Sequence, residues 1–304
     1  MLNSLRLSMV CAFAMFAAVL PASAQDKLQN KLNVVATFSI LSDFAKNVGG
    51  DRVNITTLAG PNSDTHVYTP TPADAKKIAD ARLVIVNGLG LEGWLPRLAK
   101  SSGGKAATVV ATKGISPRRI EDGHNHDPAD ADPHAWQSVA NAKIYVTNIR
   151  DTLIAADPAG AETYQANAAV YLAKLDVLDR EIREAVAKIP PERRSVISTH
   201  DAFGYFAAAY GIKFISPQGV STDSEPSARD IAAIISQIKK QKIPAVFLEN
   251  SSDPRLIRRI ASETGANIGG TLYSDSLTDE KGPAPTYIDM VRHNIKALTS
   301  ALSN

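Results

Sequence analysis

Short apolar strands alternate with amphipathic helices along most of the chain, and one long helical pattern interrupts this alternation. The predicted strands span 32–38, 53–58, 83–87 and 107–111 before the interruption, and 195–198, 213–216, 245–249 and about 271–273 after it. Short apolar strands separated by helices are typical of parallel sheets covered on both faces. We therefore predict an α/β fold of two lobes, each with a parallel sheet flanked by helices.

The interruption is predicted to be a single helix from Ala159 to Ile189. Apolar residues recur there at steps of three and four, and Pro190-Pro191 ends the pattern. A helix of about 30 residues is about 45 Å long, enough to join two lobes as one rigid element. The predicted organisation is a first lobe at 25–156, a connecting helix at 157–190 and a second lobe at 191–304.

The first 24 residues have the pattern of an export signal. Arg6 precedes an apolar run at 7–20, and the small residues at 22–24 match the site that a signal peptidase recognises. The run is short for a membrane-spanning helix, which needs about 20 apolar residues. We predict cleavage after Ala24 and a protein secreted into the periplasm.

The single cysteine, Cys11, lies inside this signal and follows Val10, where a lipoprotein signal would carry a small residue. We therefore predict no lipid anchor and a mature chain without thiolates. Any metal site must then be built from His, Asp and Glu. The formal net charge of +2 gives no indication of nucleic-acid binding.

Four possible ligands, His66, His134, His200 and Asp275, are predicted to follow strands, two in each lobe. Ligands of open α/β sheets bind outside the carboxyl ends of the strands. The four residues are too far apart in sequence for a local zinc finger. Their positions instead suit a site assembled where two lobes face each other.

The other three histidines have simpler interpretations. His293 falls in the last predicted helix and is expected to be solvated or paired locally. His124 and His126 lie in a polar, acidic loop at 116–132, where both a solvated loop and a weak auxiliary metal site remain open.

Five segments resemble a known family, the metal-specific solute-binding proteins of bacterial ABC importers (cluster A-I), which handle zinc and manganese. The segments are Asp64 to Pro72 (DTHVYTPTP), Asp132 to Trp136 (DPHAW), Ser198 to Phe206 (STHDAFGYF), Ser224 to Ser227 (SEPS) and Leu272 to Leu277 (LYSDSL). The resemblance implies that His66, His134, His200 and Asp275 bind the metal. It also implies a membrane permease as partner and two lobes joined by a rigid helix. We further expect a monomer, with a periplasmic metallochaperone as an additional candidate partner.

The third ligand bears on the choice of metal. Manganese members of the family typically carry Glu where this chain has His200. Three imidazoles and one carboxylate suit tetrahedral Zn²⁺, whereas Mn²⁺ favours more oxygen ligands. We predict Zn²⁺, with Mn²⁺ as the alternative. Asp201 and Glu249 are candidates for holding the imidazole rings, and 69–72 and 222–227 are candidate mobile elements.

A zinc-dependent hydrolase is the competing class of protein. Three histidines with an open position for water would form a catalytic site. The chain has no His-Glu-x-x-His helix, G-x-S-x-G turn or phosphate-binding glycine loop, and Gly88-Leu89-Gly90 is expected to be a simple turn. We therefore predict a binding protein and not an enzyme.

Overall fold

The computed structural model describes residues 31–120 and 131–303. The predicted signal and the two loop histidines, His124 and His126, lie outside these residues. Within the described residues no helix is both long and apolar enough to cross a membrane.

The first lobe is built on a four-stranded parallel sheet in the order β2-β1-β3-β4. Its strands are β1 (Leu32–Phe38), β2 (Val53–Ala59), β3 (Leu83–Val86) and β4 (Ala107–Val110). Its helices are α1 (Ser39–Gly49), α2 (Pro72–Ala79), α3 (Leu95–Ser102) and α4 (Val139–Ala156). Five consecutive residues of β1 are buried, as expected of a central strand with helices on both faces.

The second lobe repeats this topology with the strand order β6-β5-β7-β8, again all parallel. Its strands are β5 (Ser195–Ile197), β6 (Lys213–Ile215), β7 (Ala245–Glu249) and β8 (Asn267–Leu272). Its helices, numbered after the connecting helix α5, are α6 (Gly204–Tyr210), α7 (Ala228–Gln241), α8 (Arg255–Thr264) and α9 (Tyr287–Leu302). The two-lobed α/β fold predicted from the sequence is therefore confirmed.

Helix α5 (Ala161–Ala187, 27 residues) joins the lobes. At 1.5 Å per residue it is about 40 Å long. Its buried residues, spaced by three or four, form one face: Tyr164, Ala168, Tyr171, Leu175, Leu178, Ile182 and Val186. This face packs against α1 and α4 of the first lobe and α9 of the second. The helix is shorter than predicted because Pro158–Gly160 forms a separate 3₁₀ turn before it. The lobe limits drawn from the sequence remain a prediction.

The lobes share one continuous hydrophobic core, which includes Val34 in the first sheet, Leu175 in α5 and Phe247 in the second sheet. At its centre Phe44 of α1 contacts the rings of Tyr145, Tyr171 and Tyr287, with centroids 5.8, 6.2 and 4.8 Å away. These rings come from α4, α5 and α9 respectively. A shared core of this kind opposes a wide hinge motion between the lobes.

A buried carboxylate lies at the same helix junction. Asp43 of α1 accepts hydrogen bonds from the Tyr171 hydroxyl (3.1 Å), the Tyr287 backbone N–H (3.1 Å) and the Asn47 amide (3.1 Å). Burial outweighs these bonds and raises the pKa of Asp43 to about 6. Asp43 thus stabilises the packing of α1 on α5 and α9 through neutral donors.

Turns at residues 89–94 precede α3, which begins at Leu95. Gly88 and Gly90 have φ of 83° and 84°, a left-handed backbone conformation that favours glycine. The predicted Gly88-Leu89-Gly90 turn is confirmed.

Candidate metal centre

Side chains of His66, His134, His200 and Asp275 converge on one point, with one ligand atom of each within 4.8 Å of the others. His66 Nε2 lies 3.1 Å from His134 Nε2 and 3.7 Å from Asp275 Oδ2. Asp275 Oδ1 lies 3.4 Å from His134 Nε2, and Asp275 Oδ2 lies 3.1 Å from His200 Nε2. The structure therefore brings together all four residues singled out in the sequence.

The two candidate ligands of the second lobe are positioned by strand ends. His200 follows β5 and Asp275 follows β8, each after a short extension of the strand. His66 lies in the loop between β2 and α2. The expected strand end does not explain His134, which comes long after β4 and directly before the 3₁₀ turn Ala135–Gln137 that leads into α4. The start of a helix, and not a strand, places this ligand.

The separations given above are close to those expected around one ion. Ligands at about 2.0–2.1 Å in a tetrahedron are separated from one another by about 3.3 Å. The separations, measured to one or the other carboxylate oxygen of Asp275, are 3.1–3.7 Å. Both carboxylate oxygens of Asp275 are buried, and among the described residues they accept no hydrogen bond from a backbone, hydroxyl or amide group. They instead lie 3.1–3.7 Å from imidazole nitrogens. A buried carboxylate in such surroundings needs a nearby positive charge, which protonated rings or a bound cation supply. The donor atoms present are those expected for a divalent transition metal.

The charges in the centre shift the pKa values of its members. Burial lowers the pKa of His66 to about 3, so this ring is neutral at pH 7. Burial opposes ionisation of Asp275, but His200 and His134 outweigh it and hold the pKa of Asp275 below its usual value. Burial also disfavours charge on His200, yet Glu249 and Asp275 together raise its pKa well above normal. The pKa values of two rings in the centre are therefore shifted in opposite directions. The lowered pKa of His66 favours its neutral form, and the raised pKa of His200 favours its protonated form.

Two of the three rings are oriented by carboxylates at their far nitrogen. His200 Nδ1 lies 2.6 Å from Glu249 Oε2, and His134 Nδ1 lies 2.9 Å from Asp132 Oδ1. Such contacts fix the tautomer that leaves Nε2 free for a metal and raise its basicity. Of the two candidates from the sequence, Glu249 takes this role, whereas Asp201 contacts no ring of the centre among the described residues. Asp132 was missed, although it stands two residues before a predicted ligand.

Glu249 is itself held firmly. Its Oε1 accepts the backbone N–H groups of Thr199 and His200 at 2.7 and 3.1 Å, and its Oε2 accepts the Ser274 hydroxyl at 2.8 Å. The same buried carboxylate thus touches the residues beside both ligands of the second lobe. This arrangement fixes His200 and Asp275 relative to each other.

Asp275 is also positioned from the first lobe. The Trp136 indole and the Gln137 amide both donate to the backbone oxygen of Ser274, each at 2.8 Å. The Trp136 ring packs against His134 with centroids 5.3 Å apart. Residues 134–137 therefore contribute the His134 ring to the centre, support that ring and orient Asp275 of the opposite lobe.

His66 is the least enclosed of the four. Its side chain is 5% exposed, whereas the other three are fully buried. Asp64 Oδ1 accepts the His66 backbone N–H at 2.9 Å, and the Trp94 indole donates to the Thr65 carbonyl at 2.9 Å. The loop is held through its backbone, and among residues 31–120 and 131–303 no carboxylate contacts the far nitrogen of the His66 ring.

His293 lies apart from the centre. Its Nε2 is 3.0 Å from the carbonyl oxygen of Thr271, and its ring packs on Tyr273 with centroids 4.9 Å apart. The expectation that it is paired locally is confirmed.

Comparison with known proteins gives consistent matches. Residues 34–301 match the model of the family described as "ZnuA: Zinc-uptake complex component A periplasmic". The chain is 38% identical over 268 residues to the iron-binding protein YfeA of Yersinia pestis, covering 88% of this chain and 85% of that one. It is 36% identical to the manganese-binding lipoprotein MntA of Halalkalibacterium halodurans, covering 90% and 89%. The structure of the periplasmic zinc-binding protein TroA of Treponema pallidum superposes on this chain with a TM-score of 0.84. The two chains are 32% identical, and the match covers 90% of this chain and all of the other.

Proposed function

Because this chain belongs to the family of the periplasmic component A of zinc-uptake complexes, we propose that it captures Zn²⁺ and delivers it to the membrane permease of an ABC importer. Membership confirms the resemblance inferred from the five motifs. At the level of the family, the chain is an extracytoplasmic metal-binding protein that serves an ABC importer. The choice of metal, the ligands and the partners are proposals specific to this chain.

The observation that carries the proposal is the convergence of three imidazoles on the buried carboxylate of Asp275, which accepts no hydrogen bond from a backbone, hydroxyl or amide group of the described residues. We propose His66, His134, His200 and Asp275 as the ligands of the captured ion. Four protein donors complete a tetrahedral shell and leave no position for a reactive water, which supports capture over hydrolysis.

The nitrogen-rich donor set supports Zn²⁺ as the ion. Affinity for a site of this kind rises from Mn²⁺ to Zn²⁺ in the Irving–Williams order, and Mn²⁺ favours more oxygen donors. Manganese is the second candidate because several relatives carry it in their names, among them MntA and the substrate-binding lipoprotein PsaA of Streptococcus pneumoniae.

The metal is tested by elemental analysis of the purified protein and by competition of Zn²⁺ with Mn²⁺ for the metal-free form. We expect Zn²⁺ to displace Mn²⁺ at equal concentrations. His200→Ala should lower the affinity for zinc by more than about 100-fold, because residues that merely orient a ligand already contribute about 10- to 100-fold to metal affinity. His293→Ala is the matched control and should bind zinc like the wild type. If Mn²⁺ binds tightly and Zn²⁺ does not displace it, Mn²⁺ becomes the first candidate for the captured ion and Zn²⁺ the second.

We propose a monomer that is released into the periplasm after cleavage following Ala24, with the permease and, as a further candidate, a periplasmic metallochaperone as partners. Some relatives are named as lipoproteins, so the test asks whether this chain carries a lipid anchor. Intact mass of the mature protein decides it: a chain starting at Gln25 is expected, and Cys11→Ser should not change its distribution between membrane and soluble fractions. A lipid-modified chain starting at Cys11 would show that the protein is anchored.

A further inference from the structure

A hydrogen bond crosses between the lobes beside the loop that carries His66. The Thr222 hydroxyl of the second lobe donates to Asp64 Oδ2 of the first at 2.7 Å. Residues 217–226, which we call the gate segment, contain no helix or strand. Among the described residues, this bond is the hydrogen bond that joins the gate segment to the first lobe.

Asp64 connects this bond directly to a ligand. While its Oδ2 accepts the Thr222 hydroxyl, its Oδ1 accepts the backbone N–H of His66 at 2.9 Å. Both oxygens of the Asp64 carboxylate thus accept a hydrogen bond. One bond comes from the loop that carries His66, and the other comes from the second lobe. Displacement of Thr222 removes the hydrogen bond between Asp64 and the second lobe.

The gate segment is also fastened to the neighbours of a second ligand. The Gln218 backbone N–H donates to the Thr199 carbonyl at 3.4 Å, and the Asp201 backbone N–H donates to the Gly219 carbonyl at 3.1 Å. Within the segment, the Gln218 amide donates to the carbonyl oxygens of Thr222 and Ser224 at 3.2 and 2.8 Å. A continuous chain of contacts therefore runs from His200 through Gln218 and Thr222 to Asp64 and His66.

Solvent reaches this side of the molecule through a cavity of about 490 Å³. Residues around it include Asp64, Thr199, Gln218, Thr222 and Glu225. The cavity touches residues adjacent to His200 and two positions from His66, which is itself the ligand with the greatest exposure. Thr222 and Asp64, the two partners of the bond between the lobes, both line this cavity.

We propose that Thr222 is a positioning residue for His66, acting through Asp64, and that this bond sets how fast the ion is exchanged. The inference rests on the proposed function of metal capture. Since Thr222 is not a ligand, its bond is available with and without metal. Breaking it should raise the rates of metal association and release together, and change the equilibrium affinity less than either rate.

The test compares Thr222→Val, which removes the hydroxyl at nearly constant volume, with Thr222→Ser, which keeps it. Zinc-loaded protein is mixed rapidly with an excess of a strong chelator and the release rate is recorded. We expect release about tenfold faster for Thr222→Val, equivalent to about 1.4 kcal/mol, and within about twofold of wild type for Thr222→Ser. Thr222→Ala replaces the Val variant if the latter does not fold.

Ser224→Ala is the matched control, because the Ser224 hydroxyl contacts only Asp223 within the gate segment. It should release zinc at the wild-type rate. The proposal is overturned if Thr222→Val releases zinc like the wild type, or if Thr222→Ser and Ser224→Ala are accelerated equally. Failure of the wild-type protein to bind zinc or manganese at all would instead refute the proposed function.

Discussion

Asp43 and Asp275 are both buried carboxylates, and they lie in two regions that use a buried charge differently. At the helix junction, three neutral donors surround Asp43 and its pKa is raised to about 6. In the metal centre, the described residues offer Asp275 no backbone, hydroxyl or amide donor, and imidazoles hold its pKa below the usual value. Burial alone is therefore a poor indicator of function. A buried carboxylate with satisfied oxygens stabilises packing, and one with free oxygens facing imidazoles indicates a cation site.

The largest effect expected from this comparison is on metal binding by the two aspartates. Asp275→Asn removes the one anionic ligand and should weaken zinc by more than about 100-fold, above the range for residues that only orient a ligand. Asp43→Asn is the matched control and should change the zinc dissociation constant by less than about threefold. Both constants can be measured by chelator competition. Equal losses in the two variants would contradict the distinction drawn here.

The helix junction should show its effect in stability. An acid whose pKa rises from 3.8 to about 6 on folding stabilises the folded state below pH 4, and this contribution is lost as the pH rises to about 6. The change is about 3 kcal/mol. The stability of the metal-free wild type, measured by thermal unfolding between pH 4 and pH 7, should therefore include this decrease. The Asp43→Asn variant should lack it. An unchanged pH profile in that variant would assign the dependence to other groups.

The carboxylates behind the rings provide a smaller effect. Glu249→Gln removes the charge that orients His200 and should weaken zinc about 10- to 100-fold, and Asp132→Asn should do the same through His134. Competition titrations of both variants with the same chelator would check this. If either variant matches the wild type, the orienting role of that carboxylate is refuted.

The smallest expected effect is the pH dependence of zinc affinity. His66 is already neutral at pH 7, but the raised pKa of His200 means that zinc must displace a proton from this ring. Affinity should therefore increase with pH by up to about tenfold per unit until the pH exceeds the pKa of His200. Calorimetric titration at pH 7 in buffers of different ionisation enthalpy would measure the released proton. Binding without proton release would mean that His200 is neutral in the metal-free protein.

The sequence was sufficient for the fold because strand and helix periodicity are local properties. All eight strands lie where the apolar runs predicted them, with ends differing by a few residues. The same local pattern explains the placement of His200 and Asp275 after their strands. It did not explain His134, whose position depends on where a long loop rejoins the core.

The supports of the ligands could not be predicted, since they depend on contacts between distant segments. The bond between Thr222 and Asp64 joins residues of different lobes, and so do the bonds from Trp136 and Gln137 to Ser274. Glu249 was named as a candidate from its position at a strand end, but only the folded chain distinguishes it from Asp201. Convergence in space leaves no periodic signal in the sequence.

The chain has two tryptophans, and both adjoin the metal centre. Trp136 packs on His134, and Trp94 holds the carbonyl of the residue before His66. Indole emission responds to nearby charge and to hydrogen bonding, so the molecule carries one built-in optical indicator beside His134 and another at the loop of His66. Arrival and departure of the cargo can be followed without any label, and replacing either tryptophan with phenylalanine would separate the two signals.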